Sequence, residues 1–411
     1  MAAAVRAYWH CVSGFERNIK LYLASTVLRS TTFALSSLLL NLYLASMGFD
    51  AAFIGLNNTL FSLASLICSL PAGLIADRIG RRRAMIIGLL GVILSQLGVS
   101  VFTQGPLIAL SRTLYGIVGP LFYTSIAPFL IENSTGEQRS ILFTLDSSLM
   151  NLTSFFVMAA GGYLPRLFAA VLDVGPESAP AYRGAMVTST ATMALTLLPI
   201  LWLRDRPRPA RPPARAVPRL WRRLSNPGLM VKLLVPRVLF AFGAGLVFPF
   251  LNLFFKGKFG VSDAALGWIF GITSALAGLT MLVGGAVADR LGKIQAALLA
   301  RAISTPLLLV IGFAPSLPLA VAAHWLRSGF MRLGEPLYMA FAMEQLAEEE
   351  RATGSSLLMM SWDVGWSAGP YVSGLVQVGS GFGPLFLATI VFYSLGLGAI
   401  YAFFVRGREA E

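Results

Sequence analysis

Charged side chains lie inside the long apolar runs of this sequence, where polar residues are otherwise few. The deepest of them are Arg29, Arg112, Asp146, Arg237, Arg327, Arg332, Glu335 and Asp363. A charge at the centre of a lipid bilayer costs about 2.5 to 3.5 kcal/mol on insertion scales, so it is expected to face a partner or a polar cavity. Five arginines against three acids favour an anionic or zwitterionic ligand. The alternative is structural pairing, for example of Arg327 or Arg332 with Glu335, which would leave little net field.

The three acids are also candidates to bind and release a proton during passage across a membrane. Asp363 is the preferred candidate, because it lies near the middle of its apolar run and is flanked by Trp362 and Trp366. Asp146 and Glu335 are the other two. For each acid the alternative is a static pair between helices. Tryptophans in such runs serve more often as packing or interface anchors than as ligand-stacking groups.

Motifs for bond-breaking chemistry are missing or misplaced. Residues 365–369 match the G-x-S-x-G pattern of serine hydrolases, but they lie inside an apolar run rather than at a strand-to-helix turn. The sequence contains no G-x-x-x-x-G-K-[ST] phosphate loop and no C-x-x-C or H-E-x-x-H metal pattern. We therefore expect no enzymatic activity, no cofactor and no metal site.

The composition is that of a protein embedded in a bilayer. Of 411 residues, 56% are hydrophobic and 12% charged, with a mean hydropathy of +0.72. Soluble domains carry about 25% charged residues, so a soluble or disordered chain of this size is excluded. The net charge of +13 does not indicate nucleic-acid binding, because 21 of the 32 Lys and Arg residues fall in the tails and one set of alternate loops. That bias is the positive-inside signature of cytoplasmic loops.

Twelve apolar runs predict an all-α membrane protein with twelve transmembrane helices. They fall at 20–46, 53–76, 84–103, 106–131, 140–164, 184–203, 231–255, 264–288, 294–313, 317–343, 352–378 and 384–405. Between the sixth and seventh runs lies a linker rich in Pro and Arg, which is too polar to bury a core. The predicted organisation is a six-helix bundle at 1–203, a cytoplasmic linker at 204–229 and a second six-helix bundle at 230–411. The even number of runs and the Arg-rich loops place both termini in the cytoplasm.

The two halves repeat with a constant offset of 212 residues. The matching pairs are Gly48 and Gly260, Gly73 and Gly285, Asp77 and Asp289, Arg78 and Arg290, Gly80 and Gly292, Arg81 and Lys293, Glu132 and Glu344, and Arg139 and Arg351. Duplicated halves packed around a site near the midplane are the architecture of alternating-access transporters.

The segment Gly73-Leu-Ile-Ala-Asp77-Arg78-Ile-Gly80-Arg81 resembles the loop 2–3 signature of the major facilitator superfamily, and a weaker copy runs from Gly285 to Lys293. The resemblance covers the whole chain through the span count, the linker and the repeat. A helix-end Asp, a Gly turn and basic residues would let charges pair across a cytoplasmic gate. The predicted gate residues are Gly73, Asp77, Arg78, Gly80, Arg81, Glu132, Arg139, Asp289, Arg290, Lys293, Glu344 and Arg351. We expect them to lock the outward-facing state, the alternative being that they only set topology.

Other parts of the family pattern are incomplete. Arg112 and Gly116 in span four are similar to the family's fourth-helix motif, which many proton-coupled members have; the alternative is an Arg that only ties helices together. The Gly-Pro of the fifth-helix antiporter signature is missing at 157–162, and its related copy stands at 369–374 in span eleven. The first-helix Asp of several drug–proton antiporters is absent as well. These departures weaken a simple assignment as a drug–proton antiporter.

In this superfamily spans one, four, seven and ten line the substrate cavity. By resemblance, this places Arg29, Arg112, Arg237 and Arg327 near it. The other cavity candidates are Tyr115, Asn252, Arg332, Trp362 and Trp366.

The resemblance implies a monomeric secondary transporter of a small molecule in a bacterial-type inner membrane, with a proton gradient as the driving force. Two substrate hypotheses stay open: export of amphipathic compounds by proton antiport, and movement of an organic anion or phosphorylated metabolite. A rival from another class is a membrane sensor or complex subunit that transports nothing.

Overall fold

Helices form wherever the sequence is apolar over some twenty residues, and loops form at the glycine-, proline- and charge-rich breaks. The computed structural model describes residues 12, 14–205 and 224–406, so most of the linker 204–229 lies outside the described residues. Within these residues the regular structure is helical, with no strand. The prediction of an all-α membrane fold is confirmed.

The first half contains six spans. They are α1 (Arg17–Ser46), α2 (Ala51–Ile79), α3 (Arg81–Val101), α4 (Gly105–Glu132), α5 (Gly136–Gly161) with its short extension α6 (Leu164–Leu172), and α7 (Ala179–Leu201). The break between α5 and α6 follows from Gly162 and from Pro165 in the first turn of α6, since proline cannot continue a hydrogen-bonded helix.

The second half repeats this arrangement. Its spans are α8 (Pro227–Val247) continued by α9 (Leu251–Phe259), α10 (Asp263–Leu291), α11 (Lys293–Ser304) continued by α12 (Leu307–Phe313), α13 (Leu317–Glu344), α14 (Arg351–Ser380), and α15 (Gly383–Ile400) with a π-helical end, Tyr401–Val405. Pro249, in a 3₁₀ turn, and Pro306 mark the two interruptions. Such breaks are tolerated in membranes where neighbouring helices satisfy the freed backbone groups.

Ten helical segments among the described residues are long and apolar enough to cross a membrane. Helices α13 and α14, with 28 and 30 residues, are long enough but too polar. Counting them gives the twelve predicted spans. The two polar spans are those that carry Arg327, Arg332, Glu335 and Asp363.

The repeat extends to the backbone conformation. Gly80 and Gly292, which are 212 residues apart, have φ of 99° and 82°, and Gly48 and Gly260 have 87° and 63°. A positive φ is accessible to glycine because it has no Cβ. The two copies of the loop 2–3 motif therefore make the same kind of turn.

Contacts divide the chain into two compact units that differ slightly from the two sequence halves. Residues Gly48–Leu63, which comprise the turn before α2 and the first part of α2, group with the second unit, and the other described residues of the first half form the first unit. Thr59 Oγ1 donates a hydrogen bond to the Ser367 carbonyl at 2.7 Å. The sequence did not indicate this exchange, and the domain boundaries at the linker stay a prediction.

Close helix packing in the second unit depends on glycine. An ideal Cβ on Gly369 would lie 2.6 Å from Gly245 Cα, and one on Gly365 would lie 2.6 Å from the Val238 carbonyl oxygen. Small residues let α14 and α8 approach at backbone distance, as is common in membranes. The glycines of the G-x-S-x-G match are therefore packing contacts within a helix.

Candidate functional site

A cavity of about 760 Å³ lies within the second unit, between α8, α10, α13, α14 and α15. Its charged lining residues are Arg237, Arg327, Arg332, Glu335 and Asp363, and its aromatic ones are Phe248, Phe270, Trp362, Trp366 and Tyr393. A volume of this size is within the usual range of small-molecule sites, about 300 to 1,000 Å³. The predicted charges of spans seven, ten and eleven therefore share one cavity wall.

Glu335 is held by two arginines. Its Oε1 accepts a hydrogen bond from Arg237, and its Oε2 accepts one from Arg301 Nη2 at 2.7 Å. The two arginines are 5% and 1% exposed, whereas Glu335 is 36% exposed towards the cavity. Neither Arg327 nor Arg332 forms a salt bridge with Glu335, whose carboxylate oxygens are held by arginines from neighbouring helices; Arg332 still interacts with Glu335 electrostatically.

Arg301 is the functional-site residue that the sequence analysis missed. Its guanidinium carbon lies 4.4 Å from the ring centroid of Phe240 and 5.0 Å from that of Tyr338. It does not line the cavity and reaches it through Glu335. The sequence does contain a signal for this residue, since Arg301 is the one charged residue of the predicted ninth span, 294–313.

Arg327 is buried against aromatic rings. Its Nη2 donates to the Tyr393 hydroxyl at 3.0 Å, and its guanidinium carbon lies 3.9 Å from the centroid of Phe248. One turn earlier, His324 Nε2 lies 3.1 Å from Thr273 Oγ1. The guanidinium keeps its positive charge without an acidic partner among the described residues, so it adds positive field to the cavity.

Arg332 and Asp363 are the exposed charges of the cavity wall. Neither makes a hydrogen bond or an ion pair with any residue that the structure describes. The Trp362 and Trp366 rings beside Asp363 have centroids 6.2 Å apart and planes inclined by 19°. An anion could meet Arg332 directly, and a cation or a proton could meet Asp363.

The first unit holds a smaller charged cluster. Asp146 Oδ1 accepts a hydrogen bond from Thr26 Oγ1 at 2.7 Å and lies 3.5 Å from Arg29 Nη2. Arg29 also reaches the Tyr22 hydroxyl at 3.4 Å. Both charged side chains are largely buried, at 10% and 16% exposure. Their mutual pairing agrees with the structural alternative for these two residues.

The fourth span places its predicted residues on one helical face. Arg112 is buried, and its guanidinium carbon lies 5.7 Å from the Tyr115 ring centroid. The hydroxyls of Tyr115 and Tyr123 are 3.1 Å apart. This aromatic–cationic stack lies within the first unit, and its role in a substrate cavity stays a prediction.

Matching ion pairs occur at the repeated gate positions. In the first unit Arg81 pairs with Asp77 one turn before it, and its Nε lies 3.7 Å from Glu132. In the second unit Lys293 pairs with Glu344, which are the repeat equivalents of Arg81 and Glu132. The pairs link the start of the third span of each half to the end of the fourth.

The remaining predicted gate and cavity residues make fewer side-chain contacts. Arg78, Arg139, Asp289 and Arg290 are exposed, and Gly73 has open space around it. Arg351 Nε donates to the Met343 carbonyl at 3.1 Å rather than pairing with an acid. Asn252 is buried and is not among the cavity-lining residues.

Comparison with known proteins points to one family. The family model described as Major Facilitator Superfamily matches residues 21–243 and again 233–411. No curated protein sequence matches the chain.

Several solved transporter structures have a similar fold. A bacterial homologue of the human lysosomal transporter Spinster, inward-facing and unoccupied, has a TM-score of 0.76 over 94% of this chain and 96% of that one, at 15% identity. A variant of the nucleoside transporter NupG also gives 0.76, over 95% and 100%, at 15% identity. The human organic anion transporter MFSD10 gives 0.62 over 93% and 99%, at 19% identity. At these identities the likeness concerns the fold.

Proposed function

The chain belongs to the major facilitator superfamily, and from that premise we propose that this multi-pass secondary transporter moves an amphipathic organic anion by alternating access. The substrate binds in the cavity of the second unit and shifts the equilibrium between two states through its different affinity for each. A proton gradient drives the cycle, with Asp363 as the group that takes up and releases the proton. Asp146 and Glu335 are less suited to this task, because each is engaged by arginine.

The charge balance around the cavity carries this proposal. Four arginines (Arg237, Arg301, Arg327 and Arg332) stand against two acids, and one acid, Glu335, is shared by two of the arginines. Arg332 is exposed and forms no ion pair with the described residues, although Glu335, three positions on in the same helix, interacts with it electrostatically. Arginine binds carboxylate and phosphate groups well because its planar fork can donate two parallel hydrogen bonds. The aromatic lining suits the apolar body of such a ligand.

The distribution of charge supports a proposal for the membrane topology of the protein. We place both termini and the linker in the cytoplasm, because the basic residues concentrate in the loops on that side. The membrane is the inner membrane of a bacterial-type cell, and the transporter acts as a monomer. The gate residues stabilise the outward-facing state, and the ion pairs at Arg81 and Lys293, each within one unit, hold the helix ends that carry them.

Thermal stability of the purified protein in detergent tests the substrate class, because a ligand that binds the folded state raises the melting temperature. We expect aromatic carboxylates or organic phosphates to stabilise the wild type and the Arg166→Gln control, in which an exposed arginine outside the cavity is neutralised. Stabilisation should disappear in Arg332→Gln. Stabilisation by lipophilic cations but not by anions would contradict the proposal.

Proton-coupled export of amphipathic compounds is the second candidate, and the exposed carboxylate of Asp363 beside Trp362 favours it. A lipophilic cation and a proton would compete for that carboxylate. In this case cations should stabilise the protein at pH 8, stabilise it less at pH 6, and have no effect on Asp363→Asn. Gradient-driven uptake into proteoliposomes separates both candidates from a sensor, which would bind the same compounds and move none.

A further inference from the structure

Two opposite, exposed charges face the same cavity of the second unit. Arg332 on α13 and Asp363 on α14 each lack a hydrogen bond or ion pair with the described residues, including each other. Glu335 and Arg237 interact with them electrostatically but make no direct contact that would occupy either group. Unpaired charge is costly inside a membrane protein, and a ligand that supplies both counter-charges would relieve the cost at both ends.

We propose that the substrate is an amphipathic zwitterion, whose acidic group pairs with Arg332 and whose ammonium group is held by Asp363. This inference rests on the proposed function and changes its substrate from a pure anion to a compound that also carries an ammonium group, which then competes with the proton for Asp363. A pure anion would leave Asp363 unpaired and repelled, and a pure cation would do the same to Arg332. A zwitterion satisfies both.

The other charged residues of the cavity already have direct partners. Arg237 is held by Glu335, and Arg327 donates to the Tyr393 hydroxyl and lies over the Phe248 ring. They set the background field of the cavity but do not need a ligand to complete their contacts. Arg332 and Asp363 lie on different helices, so the two charged ends of a substrate would bind at different places in the cavity.

The aromatic groups fit the same substrate class. Trp362 and Trp366 lie one residue before and three residues after Asp363 in α14, and both line the cavity. The face of an indole ring attracts cations, and the Arg237 guanidinium carbon already lies 5.9 Å from the Trp362 ring centroid, so Trp366 is the ring that favours an ammonium group at Asp363. Phe270 and the exposed Met359 add apolar wall for an aromatic or aliphatic body. The cavity therefore combines a carboxylate that can bind a cationic group, a guanidinium that can bind an anionic group, and an apolar surface.

A matched set of indoles tests each charge separately. The probes are tryptophan, indole-3-propionate, which lacks the amino group, tryptamine, which lacks the carboxylate, and 3-ethylindole, which lacks both. Dissociation constants come from the concentration dependence of the melting temperature at pH 7.5. We expect tryptophan to bind about tenfold more tightly than either singly charged probe, because a hydrogen-bonded charged contact is usually worth that much.

Two variants assign the charges to their partners. In Asp363→Asn, tryptophan and indole-3-propionate should bind equally well, because the amino group has lost its partner. In Arg332→Gln, tryptophan and tryptamine should bind equally well, because the carboxylate has lost its partner. Arg332→Lys, which keeps the charge, should recover part of the preference for tryptophan, and melting temperatures without ligand show whether each variant is folded. If wild-type protein binds indole-3-propionate in an Arg332-dependent way but tryptophan no better, the zwitterion inference is overturned and anion transport stands. If neither the indole acids nor the broader anion panel stabilise the protein, both are overturned.

Discussion

Neutralising Glu335 should destabilise the second unit, because this carboxylate is the shared counter-charge of two buried arginines. Glu335→Gln leaves Arg237 and Arg301, which are 5% and 1% exposed, without a negative partner within the described cluster. Removing one partner of a buried pair costs about 3 to 5 kcal/mol. The carboxylate itself is 36% exposed, so the lower end of that range, about 3 kcal/mol, is the appropriate estimate.

This loss can be measured as a shift in the melting temperature. With an unfolding entropy of about 2.1 cal/mol/K per residue, a loss of about 3 kcal/mol lowers the melting temperature of a chain of this length by about 3 to 4 °C. The matched control is Glu344→Gln, which removes the same charge from an exposed pair with Lys293. Exposed pairs contribute at most about 1 kcal/mol, so the control should shift by about 1 °C or less.

A double variant separates the loss of charge balance from a general packing defect. Glu335→Gln combined with Arg237→Gln removes one positive and one negative charge together, and it should recover part of the stability lost in the single variant. Equal shifts for Glu335→Gln and Glu344→Gln would refute the reasoning. So would additive losses in the double variant, because they would mean that the two side chains are energetically independent.

Three further predictions concern packing, the gate and the first unit. Gly369→Val should lower the melting temperature by the equivalent of about 1 to 3 kcal/mol, since its Cβ would overlap Gly245; Gly379→Val, with open space around it, should change it much less. Asp77→Asn should reduce uptake into proteoliposomes about tenfold, within the usual range of coupling between conformational states, and undiminished uptake would defeat the gate proposal. Asp146→Asn should lower the melting temperature by the equivalent of about 3 kcal/mol or less, because it removes the counter-charge of a buried arginine, and an unchanged value would show that the pair contributes nothing.

Much of the fold could be predicted because each span is a continuous apolar run, and such runs indicate helices without knowledge of tertiary contacts. The predicted run at 317–343 and the observed helix Leu317–Glu344 differ by one residue. The greatest difference is at the fifth span, where the short helix α6 (Leu164–Leu172) follows the break at Gly162 and extends beyond the predicted end at 164. Pro165 and Arg166 interrupt the hydropathy signal, although the residues after them are apolar and helical.

The candidate site was only partly predictable, since a buried charge can be seen in the sequence but its partner cannot. Arg237 and Glu335 were both recognised as deep charges, yet they are 98 residues apart and nothing local pairs them. Arg301 completes the cluster from a third helix. Which acid meets which arginine depends on the rotation and depth of each helix, and a single sequence does not give either.

The polarity of α13 and α14 has a consequence for how the protein is made. A nascent helix enters the lipid by itself when its own hydrophobicity suffices, and ten segments meet that condition. Helices α13 and α14 do not meet it, so we expect their insertion to depend on contacts with helices that are already in the membrane. Helix α8 is synthesised earlier and packs along α14 through Gly245 and Gly369, which makes it the natural acceptor. We therefore expect the second half to insert cooperatively, so that substitutions on α8 that leave the cavity untouched should appear as failed insertion of α13 and α14.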